Sequence, residues 1–577
     1  MGCFGGKVQA QGELPSGLSR GEIARTVEDY VAEHRETMAG LSLAIFEGDE
    51  VLYEGHFGHQ DLEAGTEVDG ETVYEWGSTS KLFIWISVMQ LVEAGKLDLS
   101  EDIRAYLPED FLQNLSYDLP ITLLDLMNHQ GGFQETYFIQ TPHREEILPL
   151  GEALSFHPPR QIFPPGVVTA YSNWGAALAA YIVQEVSGMD YVRYVHRHIL
   201  EPLGMEKTSV GADYGDSPGV LEKRLALQCY DGEGEKIPGR GLYYIQLYPA
   251  GSAVGPLEDF LTFARALIPR EGEAGPLFQR AETWELLYSP SSFYGDSGVG
   301  NSHHGFFASQ YGVTTLGHGG NTFGCSSMIQ FEPETGLGMV VLTNQAHEQV
   351  YNYDFYEEIF GSFSDSTLAD LAREVPGGLV ISARTIQEGP LSILGTTGIL
   401  SFGEEDLDSW WYGEGKHIYG GYTDYRVDSL RSVKNLLAAL VIPLGGIYGI
   451  ITLLVGGLLL GLIRGEGEVR PLRKWNYTVS LLLGLTFANL AVLIGRIHLG
   501  NTTGDIGPVE SYMAQSGLMG LLGLGLLSSL LWGLKYLRWN PYREGRGETF
   551  KYICTTILAL LTLAVMIHFD LYQFWAL

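Results

Sequence analysis

The sequence predicts an α+β domain followed by a bundle of four membrane-spanning helices. Three observations carry this. Strand-like segments stand at both ends of the first 345 residues with helical patterns between them, four long apolar stretches follow one another after Lys434, and the charge divides between the two parts. The 577 residues carry 35 Lys and Arg against 69 Asp and Glu, a net charge of -34, yet the mean hydropathy is +0.04. From Lys434 onward there are 11 basic and 7 acidic residues, and everything before carries 24 and 62. An acidic, water-facing portion is therefore joined to an apolar tail.

In the first portion, Leu41 to Phe46, a turn at Glu47 to Glu50, and Val51 to Glu54 read as strand, turn, strand. From Lys81 to Lys96 apolar residues recur at helical spacing, closed by Gly95. A second helix begins at Ile121 to Leu126 and ends near His129-Gln130-Gly131-Gly132; a third follows Tyr171-Ser172-Asn173 and runs to Gly188. Met328 to Phe331, a turn at Glu332 to Gly336, and Met339 to Thr343 form a hairpin. Strands at the two ends are expected to share one sheet. The chain then divides into residues 1–20, a signal-peptide remnant or disordered opening, an enzyme-like domain at 21–364, a spacer or small β element at 365–433, and the membrane part at 434–577. Val380 to Ile386 is a candidate strand of the spacer, and Trp410-Trp411-Tyr412 suits a membrane surface.

The apolar stretches cover roughly 435–463, 477–497, 513–534 and 552–573, each long enough to cross about 30 Å of hydrocarbon as a helix. Arg464, Arg470, Arg473 and Lys474 occupy the first loop and Lys535, Arg538, Arg543, Arg546 and Lys551 the third, whereas 498–512 has neither Lys nor Arg. The positive-inside rule makes the basic loops cytoplasmic and puts the large domain outside. Val8-Gln9-Ala10 fits a small-residue cleavage pattern, without the apolar run a signal peptide needs. Ionisable residues within the spans, Arg496, His568 and Asp570, lie near ends, which suits an anchor better than a transporter. Gly445–Gly449 and Gly457–Gly461 suit close helix packing and an oligomer.

The acidic portion before Lys434 has no surface of clustered Lys and Arg, which argues against a nucleic-acid partner. Cys3, Cys229, Cys325 and Cys554 have no metal-ligand or disulfide spacing, so no cofactor or metal is expected.

The chemistry is carried by Ser78-Thr79-Ser80-Lys81. It sets a hydroxyl and an amine one turn apart on one helix face, directly after Gly77. A serine needs a base, and a lysine in a dry, positively biased setting can be one. Tyr171 and Asn173 add a phenol and a carboxamide at a helix start, and Gly317-His318-Gly319-Gly320-Asn321 can lay bare backbone along a cleft edge. Each also has a plain structural use: Tyr171 as a packing residue, Asn173 as a helix cap, His318 as a core histidine. Glu75, three residues before Ser78, either reads a substrate amine or amide or is salt-bridged.

In the order Ser-x-x-Lys, Tyr-x-Asn, His-Gly-Gly, this set resembles the serine β-lactamase-like hydrolases of peptidase family S12: class C β-lactamases, DD-peptidases, D-aminopeptidases and related esterases. The likeness runs over about residues 39–345, with family-like stretches at Ile121–Gly132, Leu200–Met205 and Phe331–Asn344. It implies a β-lactamase/transpeptidase-like fold, an antiparallel sheet flanked by helices plus an all-helical region. Membrane helices after such a domain are also similar to the prodrug-activating peptidases of the colibactin type, which have fewer spans.

The resemblance implies Ser78 as acylated nucleophile, Lys81 as its base and Tyr171 as proton relay. Asn173 would bind the substrate's acyl-side amide, and the N–H groups of Ser78 and Asn321 would form the oxyanion hole. Class C enzymes have Lys-Thr-Gly where this chain has His318-Gly319-Gly320. A histidine near its unperturbed pKa of about 6.5 is mostly neutral at pH 7 and lacks the fixed charge that helps bind a β-lactam carboxylate. The expected substrate is a small peptide-like amide, one containing a D-residue. Esterase or weak β-lactamase activity is the alternative within the same chemistry, and a non-turnover acylated sensor the alternative outside it.

Overall fold

The computed structural model describes residues 12–113, 115–136, 140–156, 158–270, 272–362, 378–396, 399–402, 412–414, 417–462, 471–503, 507–539 and 546–574. Cys3, the Val8-Gln9-Ala10 pattern, Trp410 and Trp411 lie outside them. Two compact units are present: Met1–Pro376 with Gly403–Arg426, and Gly377–Phe402 with Val427–Leu577. The region read as a spacer is thus divided, and Tyr412 opens a short strand of the first unit.

The first unit is built on a nine-stranded antiparallel sheet. The expected strands lie side by side inside it as Gly40–Glu47 and Leu337–Thr343, with Leu41 opposite Thr343 and Glu47 opposite Leu337. Both faces of this pair are covered, which is why neither strand alternates polar with apolar. Leu41, Leu43, Ile45, Met339 and Val341 enter a core shared with the helix Ile23–Glu33 and with Tyr356–Phe360. Ala44, Phe46, Val340 and Leu342 point the other way, into the larger helical core. Strand side chains alternate faces, so one sequence feeds two cores.

That helical core is organised by two helices, Lys81–Glu93 and Asn173–Ser187, which pack on each other and are apolar nearly all round. Ser172 caps the second, its hydroxyl accepting from Gly175 N–H at 2.9 Å, and Gly188 ends it in the left-handed conformation. The short helix Leu123–Met127 starts with a capping box between Thr122 and Asp125. The helix Ile23–Glu33 is additional to the expected elements. Its buried Ile23, Val27 and Val31 recur at i, i+4 and i+8 inside an otherwise charged segment.

The second unit holds four helices, Ser429–Leu462, Pro471–Thr503, Val509–Trp539 and Arg546–His568, each long and apolar enough to cross a membrane. A Cβ on Gly446 would stand 2.1 Å from Phe487 Cβ, and one on Gly449 2.3 Å from the Ser480 carbonyl oxygen. These glycines let the first two helices approach within one chain.

Candidate active site

Ser78 sits in a single 3-10 turn, Gly77–Ser80, that runs directly into the helix Lys81–Glu93. In a 3-10 turn residues three apart eclipse, so the Ser-Lys spacing keeps one face although the nucleophile precedes the α-helix proper. Ser80 fixes the turn, donating to the Gly77 carbonyl at 2.6 Å and accepting from Ala253 N–H at 3.0 Å. Ser78 is half-buried while Thr79, Ser80 and Lys81 are buried, leaving the serine hydroxyl on the open side.

Lys81 Nζ lies 3.0 Å from Ser78 Oγ, 2.8 Å from Asn173 Oδ1 and 2.6 Å from the Ala250 carbonyl. It also stands 4.8 Å from the centre of the Tyr171 ring. A neutral amine has two N–H bonds and one lone pair. Lys81 Nζ is within hydrogen-bond reach of the Ser78 hydroxyl, and in the neutral form an amine placed there can take the serine proton.

The strand Thr314–Asn321 closes the other side. Gly320 leans on Trp76, where a Cβ would meet the carbonyl oxygen at 2.0 Å. Gly77 likewise stands close to Asn321, so the turn that carries Ser78 and the end of this strand meet backbone to backbone. His318 is fully buried, with Nδ1 2.6 Å from the Gly319 carbonyl. Burial first, and the nearby Lys81 charge second, push its pKa down to about 3, so the ring is neutral. In the neutral tautomer that donates from Nδ1, Nε2 is a buried acceptor, and among the described residues nothing hydrogen-bonds to it.

Tyr171 is brought to this group as expected, 5% exposed, its ring 6.1 Å from His318 and 4.2 Å from His129. His129 orders the segment that carries it: its carbonyl accepts from Ala170 N–H and its Nδ1 from Ser172 N–H at 3.2 Å. Sequence reading placed His129 at a helix end without giving it this part; the neighbouring Gly131-Gly132 was the available signal. Glu75 goes elsewhere. It is buried, and its Oε1 accepts from Arg224 Nε at 2.9 Å, which is the salt bridge of its two readings. Close by, Cys229 and Cys325 are buried with their sulfurs 3.8 Å apart. Among the described residues no cluster of side chains is arranged to hold a metal ion.

A sequence model of the Beta-lactamase family matches residues 23–359, which span the sheet, the Ser78 turn and the His318 strand. The chain belongs to this family. Among beta-lactamase family relatives, it is 29% identical over 268 residues to the putative penicillin-binding protein PbpX of Bacillus subtilis, covering 44% of this chain and 61% of that one. It is 24% identical over 349 residues to penicillin-binding protein 4 of Amycolatopsis lactamdurans, covering 56% and 86%. Among solved structures, D-amino acid amidase from Ochrobactrum anthropi SV3 is similar at 22% identity and a TM-score of 0.47, covering 59% of this chain and 97% of that one. D-alanine carboxypeptidase AmpC of Burkholderia cenocepacia is similar at 19% identity and a TM-score of 0.46, covering 59% and 98%.

Proposed function

We propose that the protein is a membrane-anchored serine hydrolase that cleaves a small peptide-like amide through an acyl-enzyme. The observation that carries this reading is the position of Lys81 Nζ between Ser78 Oγ, Asn173 Oδ1 and the Ala250 carbonyl. In acylation Ser78 Oγ attacks the substrate carbonyl and its proton passes to Lys81. The N–H groups of Ser78 and Asn321 stabilise the oxyanion. Tyr171 relays a proton to the leaving amine as the C–N bond breaks, and Asn173 binds the amide on the acyl side. Water then attacks the ester, aided by Tyr171, and Ser78 regains its proton.

The neutral His318 favours amides and esters over β-lactams, whose carboxylate is best met by a fixed cation. A D-residue in the substrate is the finer part of the proposal and rests on family resemblance. The catalytic unit lies outside the cytoplasm, a reading supported by the Lys and Arg of the two basic loops.

Labelling the full chain with a fluorophosphonate and with a fluorescent penicillin, beside Ser78→Ala, tests the chemistry. Equal labelling of parent and variant overturns the assignment of Ser78. Turnover of D-aminoacyl amides, short esters and nitrocefin by the unlabelled parent protein then sorts amidase from esterase from β-lactamase.

A further inference from the structure

Pairing along one edge of the strand Thr314–Asn321 stops early. Phe307 faces Gly317, and from His318 onward no strand among the described residues pairs on that side. A hairpin from much further along the chain reaches this edge. Its strands, His417–Tyr419 and Asp424–Val427, set Tyr419 opposite Asp424, so Gly420 to Thr423 form the tip. The tip is fastened to the two residues just ahead of Tyr171. Thr423 bridges Ala170, Asp424 N–H donates to the Thr169 carbonyl at 2.8 Å, and Thr169 N–H donates to Asp424 Oδ2 at 2.9 Å. Asp424 is buried and its Oδ2 also lies 3.1 Å from His417 Nε2, which steadies the base of the tip.

This fastening aims Tyr422 into the cleft. Its ring centre is 4.3 Å from that of Phe307 and 6.0 Å from those of Tyr171 and His318. A substrate group lying beside Tyr171 therefore meets aromatic rings. Bringing a carboxylate against such a surface without a partner is strongly unfavourable.

We propose that Tyr422 is a specificity-determining residue, which makes the cleft beside Tyr171 accept uncharged, apolar substrate groups and reject carboxylates. This deepens the acyl-enzyme reading and rests on it. The hairpin lies between the hydrolase core and the first membrane helix in sequence, so the linking region supplies part of the site.

The test uses the full chain and two probes that need only Ser78: a neutral alkyl fluorophosphonate and a fluorescent penicillin, which carries a carboxylate. The readout is the ratio of their labelling rates. Tyr422→Ala is expected to raise the penicillin-to-fluorophosphonate ratio at least tenfold, whereas Tyr422→Phe, which keeps the ring, shifts it less than threefold. A ratio within twofold of the parent in Tyr422→Ala, with fluorophosphonate labelling intact, overturns the proposal and leaves the acyl-enzyme reading standing. Undiminished labelling in Ser78→Ala overturns both. If Tyr422→Ala loses fluorophosphonate labelling through misfolding, Tyr422→Gln decides: a threefold or greater rise supports the proposal and an unchanged ratio sinks it.

Discussion

Gly77 and Asn321 meet backbone to backbone: a Cβ on Gly77 would stand 2.8 Å from the Asn321 nitrogen. Gly77 also has φ +53, a conformation that side chains other than glycine rarely adopt. Both facts act on the atoms assigned to the oxyanion hole. Gly77→Ala is expected to slow fluorophosphonate labelling about 100-fold or more, the scale of losing one oxyanion donor. Near-parental labelling by a folded Gly77→Ala, judged by circular dichroism, contradicts the assignment.

The Glu75–Arg224 pair predicts a stability effect. Arg224 is fully buried and also donates to the Arg240 carbonyl at 3.0 Å, so Arg224→Met strands a carboxylate in the interior. Breaking one side of a buried pair costs about 3–5 kcal/mol. For a unit of about 350 residues that corresponds to a fall in Tm of roughly 4–7 °C. Calorimetry on Arg224→Met and Glu75→Gln checks it. A selective rise in KM for amine-bearing substrates in Glu75→Gln, with Tm unchanged, would instead restore the substrate-reading role.

His318 makes stability depend on pH in a stated direction. Its folded pKa is pushed to about 3, below the unfolded value near 6.5, so below pH 6.5 the unfolded chain takes up the proton first. The contribution is fully present above 6.5 and is lost as pH falls towards 3, with a slope of at most about 1.4 kcal/mol per pH unit. His318→Gln, which does not titrate, is expected to flatten the Tm profile between pH 6.5 and 4. Superimposable profiles would mean that the ring is protonated in the folded protein.

Sidedness is checked by thiol labelling in a chain whose own cysteines are replaced. A cysteine at Asp505, in the loop with neither Lys nor Arg, is expected to react with an impermeant maleimide in intact cells. One at Glu544, in the third, basic loop, is expected to react only after lysis. The reverse pattern turns the catalytic unit to the cytoplasm.

Much of this architecture was legible because local pattern and tertiary need agree. The continuous apolar runs Leu41–Phe46 and Met339–Leu342 announced strands buried on both faces, and Leu41 does pair with Thr343. The Ser78 turn, the Tyr171 segment and the His318 strand were readable from residue types at fixed spacing, and the structure gathers them round Lys81. Glu75 was ambiguous because its partner lies 149 positions away on a separate helix, beyond any local pattern. The helix Ile23–Glu33 was hidden by its charges, since only three of its residues reach the core. Tyr422 was unreadable for a different reason. Its strands are short and polar, and only the fold brings them to Thr169 and Ala170.

Two adjacent inner strands of the sheet, Gly40–Glu47 and Leu337–Thr343, are supplied by opposite ends of the first unit, about 300 residues apart. Contacts so distant in sequence are formed late and slowly. A ribosome must therefore have delivered Thr343 before this pair can close, while the first membrane helix, beginning at Ser429, follows soon afterwards. Until that closure, Leu41, Leu43 and Ile45 lack Met339 and Val341, their partners in the core, so this seam waits on nearly the whole length of the unit.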